Sequence, residues 1–342
     1  MLGRLNDFVY CGVKRVYSTV AKTVLLNKFV LVLKADRGAN ANLTHCFNIE
    51  GNELILAVND FGVIDKCFDI AIGNGFLFIA MRSMVRISSE RQRFICVGGD
   101  GSINEIVNSA PCNPNVEFGV IPHGSGSDFV RNFSNTRFFQ DINAQIDGDT
   151  VSLDLIKVND NYCVNMVNIG FDCAVVKEAA NLKKKKLVPP GLSYIFGVFV
   201  VLCRKFGTQM KLIYDDGTVI EKELTLTAIA NGKFCGGGFK SAPLALLQDG
   251  VFDICSIDKL SRFTFLSLVS KYKKGTYLTS KRAAKVIDYK QADHFRMEFE
   301  DPIPICIDGE IKGAKTVDFS IIKNGFNFVV PKGSRLLYTQ ED

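Results

Sequence analysis

The sequence is poor in the residues from which metal centres are most often built. Only three histidines occur among 342 residues, His45, His123 and His294, too few and too dispersed for a zinc site. No CxxC pair and no Cys/His cluster joins them, although the chain has eleven cysteines. Scattered without a repeated spacing or a secretory signal, these read as reduced thiols and not as a disulfide framework. A strong excess of one charge is also missing. The 41 Lys and Arg against 36 Asp and Glu leave +5, with a pI near 8.5, too mild for a nucleic-acid binder, and no nucleic-acid partner is expected. Such a surface still favours anionic nucleotides or an anionic membrane face. Membrane-spanning runs are absent too. The most apolar stretch, Tyr194 to Cys203, is about half the ~20 residues needed to cross a bilayer. It reads as a buried helix entered through Pro189-Pro190-Gly191, and the competing reading has the Lys183–Lys186 run touching anionic headgroups. Arg4, Asp7, Lys14 and Arg15 interrupt any signal-peptide core, so the expected location is cytoplasmic.

What is present suits a folded core: 47% of the residues are apolar and 23% charged. At roughly 150 residues per domain the length suggests two domains. In the first part, Phe29–Leu33, Leu54–Val58, Phe94–Val97 and Phe118–Ile121 are short continuous apolar runs, the pattern of parallel strands buried on both faces. Loops and a helix start at Ile103–Asn108 alternate with them, which predicts an open parallel α/β sheet. After about Thr150 the texture turns β-rich. Candidate strands are Ser152–Val158, Tyr162–Asn168, Met210–Tyr214, Leu224–Ala230, Val251–Ile257, Phe295–Phe299 and Ile303–Ile307. Asp215-Asp216-Gly217, Asp301-Pro302 and Asp308-Gly309 read as turns, and Lys177–Lys186, Leu192–Phe206 and Ser261–Tyr272 as helices. That mixture predicts a mostly antiparallel second domain.

Two glycine loops carry the chemistry. Gly98-Gly99-Asp100-Gly101-Ser102-Ile103-Asn104-Glu105 follows the third strand and opens a helix. Glycines there let backbone N–H groups approach phosphate and take positive φ, and the helix start adds partial positive charge. An Asp inside such a loop is repulsive to phosphate unless it holds Mg²⁺ or a hydroxyl. Alone, the loop also fits a tight turn capped by Ser102 and Glu105. The second loop, Pro122-His123-Gly124-Ser125-Gly126-Ser127-Asp128-Phe129-Val130-Arg131, follows the fourth strand, with Ser127 or Asp128 as candidate helix cap. Two such loops at neighbouring strand ends form the crevice where open α/β sheets bind ligands, and together they point to a polyphosphate.

GGDGSINEIVN and PHGSGSDFVR resemble the catalytic domain of the diacylglycerol kinase family, whose usual forms are GGDGTxNEvxN and PxGTxNDFAR. Later landmarks keep the family's order: Asp154 in SLDLIKV, Asn165 and Gly170-Phe171-Asp172, Asn231-Gly232, Gly236-Gly237-Gly238, Asp249-Gly250 and Asp308-Gly309-Glu310. The resemblance runs from about Phe94 to the C-terminus and is nearest the soluble bacterial branch, with sphingosine and ceramide kinases as relatives. Two departures stand out. Ser102 and Ser125 replace threonines, and Lys34-Ala35-Asp36-Arg37-Gly38 keeps only the glycine of the family's Asn-Pro-x-Ser-Gly loop.

The resemblance implies an α/β nucleotide-binding domain, 1–150 completed by 320–342, and a β-sandwich-like lipid-substrate domain, 151–319, with the active site in the cleft between them. It implies an ATP-dependent lipid kinase of phospholipid biosynthesis, using Mg²⁺ and phosphorylating a hydroxyl of diacylglycerol or a related lipid during peripheral contact with a membrane. A homodimer is left open. The nucleotide would be held by Gly98, Gly99, Asp100, Gly101, Ser102, Ile103, Asn104, Gly124, Ser125 and Asp128. Asp100 would hold Mg²⁺, joined by Asp154 through water. Glu310 would accept the proton of the lipid hydroxyl with Asp308 in support, although the DGE segment alone also fits an ordinary hairpin turn. Gly236–Gly238 and Lys240 would wall the substrate, unless they form a bulge. Asp249, with the carbonyls of Leu246 and Val251, would hold a structural Mg²⁺ or else be an aspartate turn. NAD kinases and phosphofructokinase-like enzymes share the GGDG loop but not the later motifs. A nucleotide-binding scaffold without catalysis is the remaining alternative, prompted by the altered first loop.

Overall fold

The computed structural model describes residues 29–34, 55–59, 92–123, 126–171, 173–175, 178 and 207–337, with backbone alone for 29–34, 55–59, 92 and 97. The features expected at 35–38 and 179–206, and at Gly124, Ser125 and Asp172, lie outside the described residues. Within them the chain divides into two units: one runs to Leu153 and resumes at Asn324–Leu337, the other is Asp154–Lys323.

The first unit is a parallel sheet. Its strands are β1 (Phe29–Lys34), β2 (Ile55–Asn59), β3 (Gln92–Gly98) and β4 (Val116–Pro122). They lie in the order β2-β1-β3-β4, all parallel. Asn327 and Phe328, from the end of the last strand, add a further parallel pairing beyond β4. Helix α1 (Asp100–Ser109) links β3 to β4 and buries Ile103, Ile106 and Val107, the i, i+3, i+4 stripe of a helix lying on a sheet. A short helix α2 (Ile142–Ile146) is capped by Asp141, whose carboxylate accepts from the Asn143 and Ala144 N–H groups. The guanidinium of Arg93 bonds the carbonyls of Gln145 and Ile146 at the other end of α2 while pairing with buried Glu117 at 2.8 Å. Phe328 sits fully buried in an aromatic nest, its ring centroid 5.0 Å from Phe129 and 5.3 Å from Phe133.

The second unit is antiparallel. It contains most of β5 (Asp149–Val158), then β6 (Asn161–Cys163), β7 (Met166–Gly170), β8 (Thr208–Tyr214), β9 (Val219–Ala230), β10 (Phe252–Asp258), helix α3 (Arg262–Lys274), β11 (Ile287–Ala292), β12 (His294–Ile307) and most of β13 (Glu310–Val330). Strands β7 and β8 each pair with both β9 and β12, so the ladder closes around an apolar cluster that includes Ile229, Ile254, Phe295 and Phe319. Successive strand residues point to opposite faces. Ala228, Ala230, Cys255 and Ile257 therefore fall in a second cluster on the other face, covered by Phe265, Leu268 and Tyr272 of α3. This is the predicted α/β plus β architecture.

Several local expectations need correcting. Tyr162–Asn168 is not one strand: β6 ends at Cys163 and β7 begins at Met166, because the Val164, Asn165 and Met166 N–H groups turn to the Asp308 carboxylate. Asp301-Pro302 is not a turn. It lies inside β12, where the register with β13 shifts between Glu298 and Ile303, the irregularity that admits a residue without an N–H. The segment after the second glycine loop is a single 3-10 turn, Phe129–Asn132, without a side-chain cap.

Truncating Phe328 to Ala removes the ring that several others pack against. It should lower unfolding free energy by about 3–5 kcal/mol, read by urea denaturation. A loss below about 1 kcal/mol would show that the aromatic nest collapses onto the gap.

Candidate active site

Parallel pairing places the two glycine loops side by side, since Gly98 stands opposite Pro122 and the His123 N–H bonds the Gly98 carbonyl at 2.9 Å. One side chain then joins them. The Asp100 carboxylate accepts from the Phe129 N–H at 2.8 Å through Oδ1 and from the Asp128 N–H at 2.9 Å through Oδ2. Burial pushes the Asp100 carboxyl above its ordinary value, against those two bonds, and the neighbouring charge of Asp128 pushes the same way. A Cβ on Gly126 would lie 3.3 Å from Asp128 Oδ2 and 3.4 Å from Asp100 Oδ2, so glycine leaves room where two carboxylates converge. Asp128 also pairs with Arg131 at 3.1 Å.

The glycines do not act as expected. Gly98, Gly99, Gly101 and Gly126 all lie outside the positive-φ region, and among the described residues of the two loops the left-handed one is Ser127, at φ 48°. Gly99 caps α1 in an extended conformation without a side-chain bond. Ser102 is therefore not the cap. It lies within the first helical turn, its N–H bonded to the Gly99 carbonyl, and its hydroxyl is buried without a hydrogen-bond partner. An orphaned hydroxyl beside a helix N-terminus is what a phosphate oxygen would satisfy, and the loop fits a nucleotide phosphate on that observation.

In the second unit, Asp308 and Gly309 form the two-residue turn between Ile307 and Glu310, at φ 44° and 93°, the doubly left-handed geometry that Asp-Gly serves in hairpins. The family resemblance gives both acidic residues of this segment to the reaction. Only Glu310 is exposed. The enclosed Asp308 carboxylate accepts from the backbone of Val164 (2.6 Å), Asn165 (3.1 Å) and Met166 (2.9 Å), and from the Cys163 thiol (3.2 Å). Burial raises its pKa to about 6 despite those donors. Asp308 is thus a clamp on the β6–β7 link.

Asp154 likewise faces inward in this unit. Its carboxylate accepts from the Gly250 N–H at 2.7 Å and its own N–H bonds the Leu247 carbonyl at 2.8 Å. Asp249, in the same loop, accepts from the Val251 N–H at 3.3 Å. Burial, and then the charge of Asp154, raises the Asp249 pKa. Two like charges held together are what a cation would relieve, so Asp154 and Asp249 suit a cation partly held by carbonyls and water. Among the described residues no three Asp, Glu, His or Cys side chains are grouped to hold a metal by themselves. Gly236, Gly237 and Gly238 all have positive φ and form a tight hairpin closed by paired bonds between Cys235 and Phe239. The stem of Lys240 packs against Gly275, where an added Cβ would lie 2.9 Å from it.

Sequence reading assigned no role to three residues here. Asn165 and Asn231 bridge the loops: the Asn165 side chain donates to the Phe234 carbonyl at 2.8 Å, and that of Asn231 to the Asp154 and Val164 carbonyls at 2.8 and 3.0 Å. Lys233 is buried near enough to Asp253 to lower its pKa against burial. Only their place between motif glycines could have marked them.

Residues 79–158 match the model described as the diacylglycerol kinase catalytic domain, and residues 165–330 match the YegS C-terminal NAD kinase beta sandwich-like domain. A Shewanella frigidimarina protein named "Probable lipid kinase YegS-like" is 29% identical over 244 residues, 70% of this chain and 76% of that one. A Staphylococcus haemolyticus protein with a lipid-kinase name is 30% identical over 229 residues, 66% of this chain and 71% of that one. The crystal structure of a diacylglycerol kinase from Bacillus anthracis shares the fold, with a TM-score of 0.59 at 16% identity over 91% of this chain and 98% of that one.

Two stability measurements follow. An Asn at 100 keeps the shape but offers an N–H₂ where one backbone N–H needs an acceptor, so Asp100→Asn should cost about 1–3 kcal/mol in urea unfolding; an unchanged midpoint would mean the loops hold without this carboxylate. For Asp308 the folded pKa of about 6 lies above the unfolded 3.8, so its protonated form favours folding. That contribution is full below the unfolded value and is lost as pH rises through about 6,. The unfolding free energy of the parent relative to Asp308→Asn should therefore fall by about 3 kcal/mol from acid to neutral pH. A difference that stays flat with pH would remove the titration from Asp308.

Proposed function

This chain belongs to the diacylglycerol kinase catalytic-domain family, and from that premise we propose that it transfers the γ-phosphate of ATP to a hydroxyl of diacylglycerol or a related lipid. The observation that carries the reading is the Asp100 carboxylate joining both glycine loops at neighbouring strand ends. Phosphoryl transfer asks the protein mainly to position phosphates and to meet charge as it develops. The first unit is the nucleotide half. Gly98, Gly99, Gly101, Ile103 and Asn104 bring backbone and helix start to the phosphates, the Ser102 hydroxyl supplies a donor, and Gly124 and Ser125 are added by the family resemblance alone. Asp100 and Asp128 supply the carboxylates that suit Mg²⁺, which prefers one or two with several waters. When bound, that ion would neutralise charge on the phosphates. A second ion at Asp249 and Asp154, with the Leu246 and Val251 carbonyls, would brace the acceptor half.

The second unit is the acceptor half. Glu310, exposed at the start of β13, takes the proton of the lipid hydroxyl. Asp308 acts as a positioning residue, since its turn fixes where Glu310 leaves the hairpin. Phosphoryl transfer to a lipid implies peripheral contact with a membrane, and among the described residues no helix is long and apolar enough to cross one.

The direct test supplies Mg-ATP labelled in the γ-phosphate and a panel of diacylglycerol, sphingoid bases and other lipid alcohols. Phosphorylated lipid is expected; label in NAD or a sugar, or binding without turnover, would replace the reading. Glu310→Gln should lower kcat by about 10²–10⁴ while Kd for Mg-ATP stays within error, and a surviving kcat would move the base elsewhere. Asp100→Asn should lower turnover by roughly 10²–10³, and near-parent activity at saturating Mg²⁺ would end its catalytic role.

A further inference from the structure

Helix α3 presents two different faces. Inward, Phe265, Leu268 and Tyr272 are buried, with the Phe265 ring 4.6 Å from Phe171 and the Tyr272 ring 5.4 Å from Tyr277. Outward, positions 263, 266, 270 and 274 recur at helical spacing. There Phe263 is 86% exposed and Leu266 54% exposed, a large apolar pair that a helix in contact only with water has no use for. The following segment packs through Tyr277 and Ala283 into the same apolar cluster as α3. It is tied to the helix by the Lys271 ammonium, which donates to the Ser280 hydroxyl at 2.9 Å.

The charge around this pair has one sign. Lys259, Arg262, Lys271, Lys273, Lys274, Lys281, Arg282 and Lys285 fall between 259 and 287, and no Asp or Glu does. Lys259 is engaged by Glu223, and Lys271, Lys273 and Lys274 sit in the last turn of α3, where cations also complement the helix dipole. The helix dipole does not account for the rest. Arg262 occupies the first turn, which holds no acidic residue, the reverse of what helix stability favours. Lys281, Arg282 and Lys285 are exposed outside the helix. An exposed Phe/Leu pair in a basic surround matches an anionic bilayer: the side chains enter the headgroup boundary while lysine and arginine heads meet lipid phosphates. A second copy of the same face would bring like charges together.

We propose that the outward face of α3, with the 276–285 segment, docks on an anionic lipid surface. The proposal rests on the lipid-acceptor reading for its purpose, and on these residues for its place. Phe263 and Leu266 insert, and the basic residues supply salt-sensitive attraction.

Co-sedimentation with phosphatidylcholine vesicles, with and without phosphatidylglycerol, tests it. The parent should bind the anionic vesicles, leave the neutral ones, and be released by high salt. Phe263→Ser with Leu266→Ser should weaken binding about tenfold, and Lys281→Gln with Arg282→Gln about twentyfold. These side chains are exposed, so circular dichroism and thermal midpoint should match the parent, which confirms that each variant is folded. Parent-like vesicle binding by both variants, or equal binding of neutral vesicles, overturns the proposal. So does a dimer that the Phe263/Leu266 variant dissolves while vesicle binding persists. Phosphorylation of a detergent-dispersed lipid separates the two ideas. Both variants should retain it and lose only activity on vesicles. A parent that binds vesicles through this face but phosphorylates no lipid would sink the kinase reading alone.

Discussion

A parallel sheet leaves its strand ends with loops whose backbone donors must find acceptors, and in the first unit one carboxylate settles that problem. Asp100 leaves α1 at its first residue and takes N–H groups from a loop 28 and 29 positions later. Without it the second glycine loop would be tied to the first only through the β3–β4 pairing and the His123–Gly98 bond. The arrangement places negative charge at a helix N-terminus, where it is favourable, and buries it, which is not. The raised pKa records that burial. Under the proposed function, carboxylates confined before any ligand arrives would preorganise the site for a cation and for the phosphates that accompany it.

The second unit uses the same device with other residues. Asp308 and Asp154 each turn a carboxylate onto backbone N–H groups far away in sequence, the first on the β6–β7 link and the second on the loop carrying Asp249. Asn231 adds amide donors to two of the same segments. Irregular backbone needs such partners because it has no ladder of its own. The acidic residues that look like chemistry in a linear motif are thus partly architecture, and Glu310 is the exposed one that the proposed reaction would use.

How far the sequence was readable follows from the range of the interactions involved. Apolar runs of four or five residues marked β1 to β4, and in β3 and β4 burial of successive residues accounts for the imprint. The Asp308-Gly309 turn was legible locally too, since its conformation is set by the residues that adopt it, whereas the glycine loops were legible in place but not in their dihedral angles. The break between β6 and β7 was not, since nothing in Val164-Asn165 announces a carboxylate more than 140 positions away. Pro302 misled in the opposite direction, because proline signals an interruption and a register shift absorbed it. Nor does a hydrophobic count separate Phe263 from Phe265. Only the surroundings show that one packs and the other stands in solvent.

The first unit draws its last strand residues from the far end of the chain, and this orders events during synthesis. When Leu153 has left the ribosome, β4 still lacks its neighbour at Asn327 and Phe328, and Phe129 and Phe133 still lack the ring that closes their nest. Residues 154–323 are contiguous and can complete their own ladder as soon as they emerge. The part of the protein made first is therefore finished last. Until the final residues appear, it carries an open strand edge and uncovered aromatic surface, the features that invite association with other nascent chains. A stop codon shortly before residue 324 would make that transient hazard permanent.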